Sequence, residues 1–85
     1  MSHWNYRAIR KTCPKTGEVY FQIHEVHYNK AGEITGVSTT PSIPQGSDEK
    51  ELQSDLSLLN LALDKPALVL KDIVWGEKEN VNDTL

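Results

Sequence analysis

Three side chains able to move a proton or bind a metal fall within four positions, His24, Glu25 and His27, and His3 is the one other histidine. Glu25 with His24 or His27 satisfies the residue types of a general acid–base pair, which would make a small hydrolase. No nucleophile or oxyanion donor can be placed beside them. Zinc needs ligands converging from one side, and on a regular strand residues 24 and 27 point to opposite faces, whereas a β-bulge between them could realign them. The expectation is therefore no metal, no cofactor and no enzymatic activity, with the histidines either hydrogen-bonded or facing solvent. Cys13, the single cysteine, sits between Lys11 and Lys15. Neighbouring cations lower a thiol pKa, but no base accompanies this one, so it reads as a surface thiol, and a lone cysteine excludes an intramolecular disulfide.

A second constellation mixes cations with aromatics. Arg7, Arg10, Lys11 and Lys15 interleave with Trp4, Tyr6 and Tyr20. Stacking plus phosphate contact on a sheet is one way to hold single-stranded nucleic acid. The competing reading is ordinary sheet aromatics beside a solvated basic face.

These residues must be positioned by strands. Residues 3–12 and 18–28 are rich in aromatic and β-branched types, separated by a turn at Pro14 and Gly17. They predict strands at 4–11 and 18–28. In the second, Val19, Phe21 and Ile23 share one parity and Val26 and Tyr28 the other; a β-bulge near His24 and Glu25 would restore one continuous apolar face. Asn29 to Gly32 read as a hairpin turn with Gly32 at positive φ, followed by a third strand over 33–39 that Gly36 weakens, and residues 40–46 as loop.

The longest periodic stretch lies between Ser47 and Pro66. Leu52, Leu56, Leu59 and Leu63 recur at helical spacing, Asp48 and Glu51 form a capping box, and Pro66 ends the run. This helix should lie across the sheet and bury its leucines against Phe21 and Ile23. The fold class expected is α+β: a three-stranded antiparallel meander followed by one amphipathic helix, βββα, with a short fourth strand or docked segment at 67–75. Residues 1–75 form one domain in this reading, and 76–85 a polar, flexible tail.

The chain has 85 residues, a formal charge of −3 and 38% apolar content, near the lower size limit for a self-sufficient core. Its charge is uneven: residues 1–30 hold five basic residues against two acids, and residues 31–85 hold four against ten. No run is long and apolar enough to span a bilayer and no secretory h-region opens the chain, so the expected location is cytoplasmic, without membrane association.

The segments Asn5–Arg10, Ile23–Tyr28 and Leu52–Pro66 resemble a family of short bacterial and phage proteins that carries no assigned activity. More loosely, the meander, loop and helix are similar to the N-terminal domain of HicB-type antitoxins, a partial RNase H-like unit. There a Gly-[Asp/Glu]-[Ser/Thr]-x-x-Glu-[Ala/Leu] pattern enters the helix, and Gly46 to Leu52 is an approximate counterpart. The resemblance implies a non-catalytic domain that binds a small protein and dimerises. The functional expectation is thus a protein-interaction module, antitoxin-like or a phage-related inhibitor. Its acidic helix face, Glu49 and Asp55, would meet a basic protein partner. The alternative is a nucleic-acid binder using Arg7, Arg10, Lys11 and Lys15. A homodimer is also expected, because the sheet face left open by the helix would expose some of Trp4, Tyr6, Tyr20, Val26 and Tyr28; the alternative is that residues 67–75, with Val69, Leu70, Ile73 and Trp75, fold back over this face and make the monomer self-sufficient.

Overall fold

A computed structural model of the chain describes residues 3–77. It has the expected βββα order: β1 (His3–Thr12), β2 (Val19–Tyr28), β3 (Ile34–Val37) and α1 (Glu49–Asn60), the strands forming an antiparallel sheet in sequence order. A 3-10 turn, Leu61–Asp64, prolongs α1, and another spans Leu70–Asp72.

The β1–β2 ladder pairs every residue from His3↔Tyr28 to Thr12↔Val19 without a break. The bulge expected at His24 and Glu25 is therefore absent; the irregularity lies between His27 and Tyr28, on the β3 side. Directly paired residues share a face. One face carries Trp4, Tyr6, Ala8, Arg10, Phe21, Ile23, Glu25 and His27. The other carries Asn5, Arg7, Ile9, Lys11, Tyr20, His24, Val26 and Tyr28. The change of apolar parity along β2 reflects apolar residues on both faces: Val26 and Tyr28 are buried on one, while on the other Ile23 is half-buried and Val19 and Phe21 stay exposed.

Helix α1 covers the first face. Asp48 caps it in extended backbone, accepting the Glu51 N–H at 2.8 Å, and the Glu51 carboxylate accepts from the N–H and hydroxyl of Ser47, one residue before the cap, so the expected capping box forms with its second half shifted to Ser47. The leucine stripe does not face the sheet as expected. The inward row is Asp55, Leu59 and Ala62: Leu59 is 4% exposed and Ala62 fully buried, whereas Leu56 is 50% and Leu63 66% exposed. Phe21, expected beneath the stripe, is 59% exposed. The reason is the C-terminal turn. Leu61–Asp64 is the part of the helical segment that packs on β1, and seating small Ala62 there rotates the leucines to the flanks.

Residues 67–77 form a strap rather than a fourth strand. Leu68 makes a parallel bridge to Ile9 on the outer edge of β1, with Arg10 N–H to Leu68 O and Leu68 N–H to Ala8 O both at 2.8 Å. Trp75 bridges Ile34 on the outer edge of β3, where Gly76 N–H donates to Ile34 O at 2.8 Å. Between these anchors the chain passes the second face, where Ile9, Val26 and Tyr28 form the core with Ile34, Val37 and Leu68 against it. Gly76 and Glu77, expected to begin the flexible tail, are hydrogen-bonded into the fold; the rest of that tail, 78–85, lies outside the described residues. Gly76 must be glycine for a packing reason: a Cβ there would collide with the Glu33 side chain and the Asn29 amide.

The turn between β2 and β3 is organised by Asn29, a buried residue whose importance the composition of the turn does not reveal. Its Oδ1 accepts from the N–H groups of Ala31 and Glu33, each at 3.0 Å. Gly32 takes φ +85°, as its place in the turn predicts.

Candidate functional site

The polar residues of β1 and β2 divide between the two faces, and this division governs what each can do. On the strap face His24 is 3% exposed. Its Nδ1 lies 2.9 Å from the Ser38 carbonyl, an acceptor only, so Nδ1 carries the proton and donates. Its cross-strand neighbour Arg7 donates to the Tyr28 hydroxyl at 3.2 Å and to the Pro66 carbonyl at 2.8 Å, and Tyr28 donates to Asn5 Oδ1 at 2.8 Å. Arg7 thereby fastens the start of the strap to the sheet. His3 stacks on Tyr28 with ring centroids 4.8 Å apart.

Glu25 and His27 stand on the opposite face with Glu25 Oε1 and His27 Nε2 3.7 Å apart, and Trp4 lies against His27 and edge-on to Tyr6. His24 is thus separated from Glu25 and His27 by the sheet itself. The three do not converge, and among the described residues no group of three His, Cys, Asp or Glu side chains is placed to hold a metal ion. Burial pushes the Tyr6 phenol above its ordinary pKa, and the Asp55 and Glu25 carboxylates push in the same direction.

The basic residues do not gather into one patch. Arg7 and Lys11 lie on the strap face, Arg7 bonded to Pro66 and Lys11 to Gln22 at 2.7 Å; Arg10 lies on the helix face with Trp4 and Tyr6; Lys15 sits in the turn. The four cations are therefore spread over both faces and the turn, with Arg10 alone on the face that carries Trp4 and Tyr6. Cys13, in the same turn, has its thiol pKa lowered, chiefly by a hydrogen bond from the Thr16 hydroxyl and then by the backbone amides of Thr16 and Lys15 rather than by the lysine charges.

The five residues expected at a dimer interface are also divided. Trp4 and Tyr6 face the helix side, Tyr20 the strap side, and Val26 and Tyr28 are inside the core of one chain. They cannot form one open patch. Of the acidic pair, Glu49 is exposed in the first turn of α1, but Asp55 turns inward and accepts the Gln45 N–H at 2.8 Å, tying the preceding loop to the helix.

What the rotation of α1 leaves open is apolar. On one flank, a cleft of about 480 Å³ is lined by Ala8, Phe21 and Ile23 of the sheet, Ile43 between Pro41 and Pro44 of the loop, and Leu56, Leu59 and Leu63 of the helical segment. Its polar lining is Gln22, Ser42 and Asn60, with no charged side chain. On the other flank, Leu58 and Leu61 face Trp4, Asn5 and Tyr6 in a cleft of about 470 Å³ bordered by Asp64 and Lys65. The leucine period was the signal for this surface, read as core because an amphipathic helix ordinarily buries its apolar stripe. No helix among the described residues is long and apolar enough to cross a membrane. No protein-family model, curated protein or solved structure matches the chain.

Proposed function

We propose that this protein is a non-catalytic protein-interaction module, of the kind that antitoxin-like and phage-encoded inhibitors represent, and that the cleft between β2, the 41–44 loop and α1 receives an apolar segment of its partner. One observation carries the reading: Phe21, Ile43, Leu56 and Leu63, four large apolar side chains, are each at least half exposed around a single uncharged concavity. A contiguous apolar surface on so small a domain is what a binding site requires and what a monomer ordinarily avoids. Burying it desolvates no charge, so shape and apolar area supply the affinity, with Glu49 at the rim adding charge steering rather than the core of the contact. The nucleic-acid alternative is supported less, because phosphate binding needs clustered cations and Arg7, Arg10, Lys11 and Lys15 are dispersed.

The test compares wild-type protein with Leu56→Glu and Ile43→Asp variants, both at exposed positions that leave Leu59 in place. Affinity capture from the native host should recover a protein with wild type and lose it with both variants. Labelled single-stranded RNA and DNA should not bind at physiological salt. Retention of the captured protein by both variants, or nucleic-acid binding that weakens steeply with salt, would overturn the reading.

A further inference from the structure

The two outer edges of the sheet are fastened by the strap at Leu68 and Trp75, but β2 itself is left partly unpaired, because β3 is short. Hydrogen bonding alternates along a strand, and Cys13 N–H bonds Glu18 O, so the even residues of β2 direct their backbone groups toward β1. The odd residues point the other way. Glu25 O accepts Ser38 N–H at 2.9 Å and Ile23 O accepts Ser42 N–H at 2.8 Å on that side, confirming the parity. Beyond Ser42 no described residue hydrogen-bonds to this edge, so the N–H and C=O of Val19 and Phe21 face outward with no hydrogen-bond partner among the described residues.

We propose that a second copy of this chain pairs here, β2 against β2, antiparallel about a two-fold axis at Tyr20. The register follows from which groups are open. Centring on Tyr20 sets Val19 of one copy against Phe21 of the other and engages both outward groups of both residues, and it does not extend to Ile23, where Ser42 already sits. It is also self-complementary: Val19 meets Phe21 on the helix face, Tyr20 meets Tyr20 on the strap face, and Glu18 falls opposite Gln22, so no like charges oppose one another. The run from Val19 to Ile23 carries no charge and no proline, two of the devices by which edge strands resist pairing. Val19, Tyr20, Phe21 and the nearby Ile43 are all largely exposed, an apolar patch around the axis. The product is one continuous six-stranded sheet with both uncharged clefts on the same side.

The pairing does not depend on what the cleft binds, and its test uses the free protein alone. Sedimentation at tens of micromolar should give twice the single-chain mass for wild type. It should give the single-chain mass for Val19→Pro, which removes an outward N–H at the first residue of the strand and leaves the β1 ladder intact, with the far-UV spectrum kept. In a Cys13→Ser background, Tyr20→Cys should form a disulfide-linked dimer on mild oxidation, because facing residues of a non-hydrogen-bonded pair stand about 4.5 Å apart at Cα, within disulfide reach. A single-chain mass for wild type would overturn the proposal and leave the edge to a different chain. Cross-linking through Phe21→Cys but not Tyr20→Cys would overturn the register.

Discussion

The side-chain amide of Asn29, in the turn after β2, donates to the carbonyl of Glu77 at 3.1 Å, and also to the Glu33 carboxylate at 3.0 Å. One residue thus closes the β2–β3 turn and fastens the far end of the strap. Replacing it with Ala strands the N–H groups of Ala31 and Glu33 and frees the strap, each lost buried bond costing about 1–3 kcal/mol. Asn29→Ala is expected to lower stability by about 2–4 kcal/mol in urea unfolding, and to speed hydrogen exchange at Gly76 N–H more than at the amides of the β1–β2 ladder.

Leu59 and Leu56 make a direct test of how the helix is seated. Leu59→Ala removes a side chain that is 4% exposed and should cost about 2–5 kcal/mol. Leu56→Ala, at a half-exposed position, should cost about 1 kcal/mol or less. Equal costs would mean that the leucine stripe faces the sheet after all. The pair of urea midpoints checks it.

Cys13 should titrate through Thr16. Thr16→Val removes the hydroxyl that stabilises the thiolate. The midpoint of the pH profile for alkylation by iodoacetamide is expected to move upward in this variant. Lys15→Gln should move it less, because hydrogen bonds rather than the lysine charge lower this pKa.

Tyr6 gives the fold a specific alkaline sensitivity. Its folded pKa is raised above the ordinary phenol value by burial and by Asp55 and Glu25. Below the unfolded pKa the phenol is protonated in both states and its contribution is fully present. As pH rises past that value the unfolded chain releases its proton first, so the contribution is lost until the folded pKa is passed. Tyr6→Phe should flatten this part of the alkaline decline in urea midpoint, and Asp55→Asn should lower the Tyr6 titration midpoint followed by phenolate absorbance.

The pattern of residues along the chain determined the local elements. Alternation and turn chemistry placed the first two strands within a residue or two of their observed ends, Asp48 and Glu51 located the start of α1, and Gly32 marked its turn, because each of these depends on neighbours in sequence. Periodicity also identified the leucines but not their fate. Which row of a helix turns inward depends on how its ends are tied, and here the packing of Ala62 on β1 and the Asp55–Gln45 hydrogen bond chose the row of Asp55, Leu59 and Ala62 over the more apolar one. The same limit explains the absent bulge. A shift of apolar parity along β2 is equally compatible with one buried face and a bulge or with two buried faces and a regular ladder. The strap, anchored at Ile9 and Ile34 by contacts remote in sequence, covers the second face, and the unbroken β1–β2 ladder keeps His24 and His27 on opposite sides of the sheet.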